Sequence, residues 1–340
     1  MLAEATRITA PPVDWLLSED SPPWVHYWTL RDLLGQHAND PAVLAAHAAT
    51  VAHPLVQGLI NDVAAWPGPP LKRHNDAAHP LHKLAALADF GLTRDDPALA
   101  PVIVRVLAGQ AAGGAFTIDM LVAERYGGDG QAHARWMLCD APVTLHALLA
   151  FGLGDDPRVR RAISHLTGLL SDNGWPCAAD PTYDGFRGPG RKDDPCPYAT
   201  LVALRALSRV PELVESPFAS VGVEMLLWHW DHQRERKLFM FGIGTDFRKS
   251  KYPLIWYDML HVCDVLSRFP QARRDPRFVS PQGGMVSELM WQADEAGRFT
   301  PASMYMAWKG WDFADKKQPS PTITAAAWRT YRRVLQEAER

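Results

Sequence analysis

Residues Asp172–Leu207, DNGWPCAADPTYDGFRGPGRKDDPCPYATLVALRAL, hold in one stretch each kind of part from which the chain is assembled. Asp172-Asn173-Gly174-Trp175 reads as the end of a helix, a glycine free to adopt left-handed backbone followed by an aromatic that packs back. A basic loop rich in glycine and proline comes next, with Arg187, Arg191 and Lys192. Asp194-Pro195-Cys196 then opens YATLVALRAL, an apolar run of the length and composition of a buried helix.

Working outward, the same parts recur. Pro41, Pro97, Pro157, Pro217 and Pro276 are 56, 60, 60 and 59 residues apart, and four of them follow an aspartate (Asp40, Asp96, Asp156, Asp275). Asp-Pro is a helix start, with aspartate as N-cap and proline at the first helical position, where a missing N–H costs nothing. A second ladder, Pro23, Pro80, Pro142, Pro195, Pro253 and Pro321, falls between the rungs of the first and also precedes helix-like runs. A third series closes the Asp-Pro helices: Gln110–Phe116, Asp172–Trp175 and Gln292–Phe299 are variants of one glycine-aromatic turn. The second ladder is apolar all round, as an inner layer would be; the Asp-Pro helices carry residues such as Arg158, Arg160 and Arg161 on one side, as an outer layer would. Nothing alternates with period two for long. The expectation is an all-α chain, residues 1–340 as a single domain of about six helical hairpins. Residues 1–21 would close the outer ring and 322–340 would form the last inner helix.

Composition bounds the functions. Hydrophobic residues make up 47% and charged residues 21%, ordinary for a globular chain. A net charge of -3 speaks against a nucleic-acid binder. No apolar run reaches membrane-spanning length, and the N-terminus shows no basic region leading into an apolar one. Four irregularly spaced cysteines do not form a disulfide framework. These features predict a cytoplasmic protein with reduced thiols and no transmembrane segment.

The repeated Gln…Gly-x-Trp/Phe turn resembles that of the α/α-toroid superfamily, which contains squalene and oxidosqualene cyclases, protein prenyltransferase β subunits and a bacterial group of prenyltransferase/squalene-oxidase-repeat proteins. Gln110–Phe116, Asp172–Trp175 and Gln292–Phe299 carry the resemblance, and the repeat covers nearly the whole chain. It implies an α/α toroid with inner and outer helical rings and one central cavity. Class II cyclases protonate their substrate with an Asp-x-Asp-Asp motif, which this chain lacks; its pairs Asp95-Asp96, Asp155-Asp156 and Asp193-Asp194 precede proline and read as caps. Prenyltransferases hold zinc with Asp-x-Cys at one inner-helix start and a histidine at the next. Asp194-Pro195-Cys196 matches the first element, and a step of about sixty residues reaches Asp258 and His261 in place of a matching histidine.

Inner-helix N-termini offer unpaired N–H groups and favour anions. The basic loops before them, with Arg187, Arg191, Arg248 and Lys249, would suit a phosphate or carboxylate head group. The alternative is a set of solvated loop charges. Cys139, Cys177 and Cys196 with Asp194 are the residue types of a zinc site, while Asp140, Asp194 and His79 are equally well placed as helix caps. Trp136, Tyr198, Trp256 and Tyr257 would line an apolar pocket or stabilise a carbocation through their π faces, or simply fill the centre. Asp258 and His261, three apart, would pair for proton transfer. The reading is a terpenoid-cyclase/prenyltransferase-like enzyme, zinc-assisted in one version, acting on a hydrophobic small molecule with a polar or anionic head. Asp194, Asp258, His261 and Asp140 are its catalytic candidates. Two alternatives stay open: a non-catalytic lipid- or protein-binding toroid, and a carbohydrate-active (α/α)-barrel hydrolase or lyase with Asp140 and Asp258 as acid and base.

Overall fold

The computed structural model describes residues 10–183, 185–186, 188, 190–235, 237–238 and 240–338. Most of their regular structure is helical. The chain divides into two compact units, Gly58–Gly242 and the pair of segments Met1–Gln57 and Ile243–Arg340.

In the unit Gly58–Gly242, three helices of the second proline ladder form the centre: Pro80–Asp89, Ala141–Ala150 and Pro197–Leu207, with Ala141–Ala150 packed against both others. All residues of Pro197–Leu207 are buried, and so are Pro142–Leu149. Contacts at both ends show that they run in one direction. His74 and Asp140 meet where the chain enters, and Asp89, His146 and Arg205 meet near the exits. The peripheral helices bury one stripe only. Pro157–Gly168 buries Val159, Ala162, Ile163 and Leu166, the spacing of a single helical face.

The peripheral helix Pro217–Asp231 comes close because Gly222 has no side chain. A Cβ there would lie 2.8 Å from Trp175 Cζ3 and 2.9 Å from Leu204 Cδ2. At the exits, Arg205 is buried and ion-paired with Asp89, which also bonds His146 Nε2 at 3.1 Å. Burial works against the Asp89 charge, but Arg205 and His146 outweigh it and hold the carboxyl well below its usual range.

In the other unit, Pro321–Ala338 packs against Met259–Leu266 and Pro23–Trp28, and Pro41–Ala52 covers the latter. An aromatic cluster fills the space between: Trp24–Trp311, Tyr252–Phe313 and Trp308–Trp311 have ring centroids 5.1, 5.1 and 5.2 Å apart. Trp24 Nε1 donates to Thr322 Oγ1 (2.8 Å), whose hydroxyl donates to Asp312 Oδ1 (2.7 Å), tying this cluster to a helix start.

The glycine-aromatic turns are built alike. Gly114, Gly174 and Gly297 all have positive φ (104°, 126° and 76°), and Phe116, Trp175 and Phe299 are buried behind them. Trp175 and Phe299 are even held by the same bonds, each backbone N–H donating to a threonine, Thr200 or Thr324, in the following central helix.

Several expectations need correction. Asp156 and Asp275 cap their helices through Arg158 N and Arg277 N, but Asp40 and Asp96 turn backward, accepting from His37 N and Thr93 N to close the preceding turn. Pro195 does not start a helix; it sits in a bridge to Pro176, and the helix begins at Pro197. No helix follows Pro253 directly. It begins at Met259, where Asp258 supplies the cap. The helix at Pro276 stops after four residues and resumes as Met285–Met290, because Pro281 lies between and has no N–H to continue the ladder. Of residues 1–21, only Val13–Leu16 is α-helical among those described. Two short strands, Ile118–Leu121 and Ala132–Arg135, pair antiparallel within a long loop, where backbone groups still need partners.

Removing one member of the Arg205–Asp89–His146 group strands a buried charge. Asp89→Asn is expected to cost roughly 3–5 kcal/mol, read from urea unfolding. Stability should also fall with acid. Burial depresses the pKa of His146 to about 3 and of His82 and His229 to about 4, while the unfolded chain titrates near the ordinary value of 6.5. Below that value the unfolded state binds more protons, so unfolding midpoints should drop between about pH 7 and about pH 4, and His146→Gln should flatten the slope.

Candidate functional site

Central helices start in the interior, where water cannot satisfy their first N–H groups. Each is preceded by a buried polar or sulfur-bearing residue: His79, Asp140, Cys196, Asp258 and Ser320. Four of them cap through the side chain. His79 Nδ1 accepts from Leu81 N (3.1 Å), Cys196 Sγ from Ala199 N (3.5 Å), Asp258 Oδ1 from His261 N (3.1 Å) and Ser320 Oγ from Ile323 N (3.1 Å). Cys196 and Ser320 are 124 residues apart, as are Trp175 and Phe299, and Thr200 and Thr324. Cysteine thus stands where a related repeat uses serine. Sequence reasoning picked out Asp140, Cys196 and Asp258 for chemistry, and their shared position just before a buried helix explains why such residue types recur there.

Asp140 is the exception. Its carboxylate makes no cap and faces His74, with Oδ2 and Oδ1 2.9 and 3.1 Å from Nδ1. The aspartate side chain is 1% exposed and the imidazole 33%. Burial lowers the His74 pKa, but the Asp140 charge and hydrogen bond outweigh it, and the net direction is upward. His82 Nε2 lies 2.8 Å from the His74 carbonyl and steadies the loop.

Next to this pair lie the thiols. The segment Trp175–Asp180 is laced to both neighbours: Cys196 N donates to Trp175 O (2.8 Å), Leu138 N to Ala178 O (3.0 Å) and Asp180 N to Trp136 O (2.9 Å). Cys177 is therefore held between the segments bearing Cys139 and Cys196. Interaction with the Cys139 thiol lowers the Cys196 pKa, together with the amides of Ala199 and Tyr198 and the charge of His74. The same interaction, with burial, raises Cys139; burial pushes Cys177 up to about 12. Among the described residues no three His, Cys, Asp or Glu side chains are arranged to hold a metal ion.

In the other unit, Asp258 is completely buried. Oδ1 is pinned by His261 N, and Oδ2 meets no hydrogen-bond partner among the described residues. Burial raises its pKa to about 7, against the opposing pull of Lys251 and of the His261 and Leu260 amides. It is therefore a carboxylic acid about half protonated near neutrality. The His261 ring is placed differently from the expected acid–imidazole pair: Nδ1 lies 2.8 Å from the Trp256 carbonyl, and it is the His261 backbone that bonds Asp258. Tyr305 lies close enough for the Asp258 charge to raise its pKa further, after burial has done most of that work.

The remaining candidates are scattered in role. Arg187 lies outside the described residues. Arg191 is exposed, Arg248 is paired with Glu288 (3.2 Å), and Lys249 with Asp246 (2.7 Å). Tyr198 is buried and stacked on Phe241, Tyr257 packs on Phe247, and Trp136 packs edge-on against His165. Trp256 is half-buried. Asp194 is half-buried and faces a groove of about 740 Å³ with Asp172, Glu224 and Trp228 among its walls.

The pairing of His74 with Asp140, 66 residues away, was not read from the sequence. Lys251 and Tyr305 were likewise not connected with Asp258. No linear spacing signals either contact. Ser320, the cap before Pro321, was not singled out either. Comparison of the chain with protein-family models gives no match, and comparison with curated proteins gives none either.

Because Asp140 is what raises the His74 pKa, Asp140→Asn should move it downward, below the ordinary value near 6.5. Proton NMR titration of the imidazole reads the shift directly.

Proposed function

We propose that this chain is an α/α-toroid enzyme of the terpenoid-cyclase/prenyltransferase kind, in which Asp258 donates a proton to an apolar substrate with a polar head. Supporting the toroid are the interleaved ladders of central and peripheral helices at about sixty-residue steps, and the common direction of the central helices in Gly58–Gly242. The reaction rests chiefly on one observation, a fully buried carboxylic acid with one oxygen bonded by a helix N-terminus and the other unengaged.

Protonating an alkene needs an acid kept neutral until the substrate arrives, in surroundings that exclude water. Asp258 is fully buried, and its raised pKa keeps the neutral acid well populated up to about pH 7. Its O–H bond would break as a C–H bond forms from the alkene π pair, leaving a carbocation and a carboxylate. The His261 and Leu260 amides and the Lys251 charge, which already pull the Asp258 pKa down, would stabilise that carboxylate. Aromatic faces nearby, such as Trp256 and Tyr305, are of the type that stabilises the cation. This is acid catalysis from a single aspartate, distinct from an Asp-x-Asp-Asp cyclase.

A second reading is carried by the groove around Asp194. Asp172, Glu224 and Trp228 share its walls with no basic side chain among the described lining residues, a surface suited to an uncharged sugar. Calorimetric titration with neutral oligosaccharides separates the two: binding abolished by Trp228→Ala favours the sugar, and no binding removes it.

For the acid, incubation with polyprenyl alcohols and diphosphates should yield rearranged products, with Asp258→Asn at least about a hundredfold slower. The acid form must be present, so the rate should be full below about pH 7 and fall above it, following the Asp258 pKa of about 7. A rate indifferent to both the substitution and the pH would end the proposal.

A further inference from the structure

We propose that the groove facing Asp194 binds a β-linked, glucose-type disaccharide unit against Trp228, an inference that rests on the second reading above and names the sugar it takes. The groove is preformed. Val221, Glu224, Met225 and Trp228 share one face of the helix Pro217–Asp231 and line it together. The turns at Asp172–Asn173 and Asp194–Pro195 complete the lining. Asn173 Nδ2 donates to Asp193 O (3.0 Å) and Cys196 N to Trp175 O (2.8 Å), so these two turns are fixed to each other. Gly174 lets them close on the helix, because a Cβ there would lie 2.9 Å from Met225 Cγ and 3.1 Å from Pro195 Cβ. The volume of about 740 Å³ is in the range that holds a drug-sized molecule, and a disaccharide is of that size.

The lining sets the chemical class. The carboxylates of Asp172, Asp194 and Glu224 each accept at several lone-pair positions, so ligand hydroxyls can join whatever partners these side chains already have. Pro195, Val221, Met225 and Leu238 add apolar surface. The matching ligand has hydroxyl donors around its edge and C–H groups on its faces. A pyranose ring is built that way.

Trp228 selects the stereochemistry. The His232 ring covers one side of its indole, with centroids 4.4 Å apart and planes within 17° of parallel, and His232 Nδ1 lies 2.9 Å from Trp228 O. A sugar therefore meets the uncovered side. A hydroxyl pressed against an indole face gives up its water without gaining a full hydrogen bond. In a β-linked glucose ring every substituent is equatorial, so both faces carry C–H groups alone and either can stack. Mannose-type rings carry an axial 2-hydroxyl, and an α-linkage puts the glycosidic oxygen axial; each spoils one face. Successive rings of a β-1,4 chain turn opposite faces to the same wall, so only rings with two clean faces fit in every register.

The test uses the whole protein and calorimetric titration with cellobiose, maltose and β-1,4-mannobiose. Cellobiose should bind at least about tenfold tighter than either of the others, the scale of one stranded hydroxyl. Ser220 lies exposed on the rim of the groove, so Ser220→Trp should fill it and abolish cellobiose binding without moving the unfolding midpoint. Equal binding of all three disaccharides would overturn this assignment and leave the sugar reading standing, whereas binding of none would remove both. Cellobiose binding that survives Ser220→Trp would also overturn it.

Discussion

The first N–H groups of a helix that begins inside a protein must find acceptors, and this requirement organises the chain. Where water is excluded, the residue before the helix has to supply a lone pair or leave several kcal/mol of desolvation unanswered. In each unit the central helices begin in the interior, behind His79, Cys196, Asp258 and Ser320, whose side chains accept those bonds. The same requirement concentrates titratable and nucleophilic atoms at helix starts. A cap is by its nature an acceptor aimed at a positive dipole end, so structural and chemical demands select overlapping residue types.

That overlap explains how caps can acquire chemistry. Ser320 is a neutral cap whose hydroxyl is also tied to Asp312, and it has nothing left over. Cys196 occupies the corresponding position in an earlier repeat, yet its neighbours are a second thiol and an imidazole backed by a carboxylate. Asp258 spends one oxygen on the helix and keeps the other unengaged in a dry setting. Asp140 has left the cap role altogether to hold His74. One scaffold position thus holds residues with different partners, depending on what the preceding loop brings to it.

The remaining buried charges are matched by design of another sort. Arg205, Asp89 and His146 satisfy one another at the far ends of three parallel helices. Asp264 is held by Arg268 and Arg333 in the other unit. Such groups contribute less to net stability than to fixing which helix faces which, since each member is costly without the others.

The sequence by itself determined the helical class, the ladders, the glycine-aromatic turns and the division between wholly buried and one-sided helices. These are local matters: proline and aspartate bias a helix start, glycine permits positive φ at Gly174, and the spacing of apolar residues in Pro157–Gly168 allows only one buried face. It also located the helix start at which Asp140 sits. It misplaced the starts after Pro195 and Pro253, because a proline permits a helix without requiring one and the cap one to five residues later decides. Tertiary structure alone decided what each cap meets. Asp140 reaches His74 across 66 residues, and whether Asp258 stays neutral depends on how completely its surroundings exclude water. Contacts and dielectric environment are properties of packing, and no spacing along the chain encodes them.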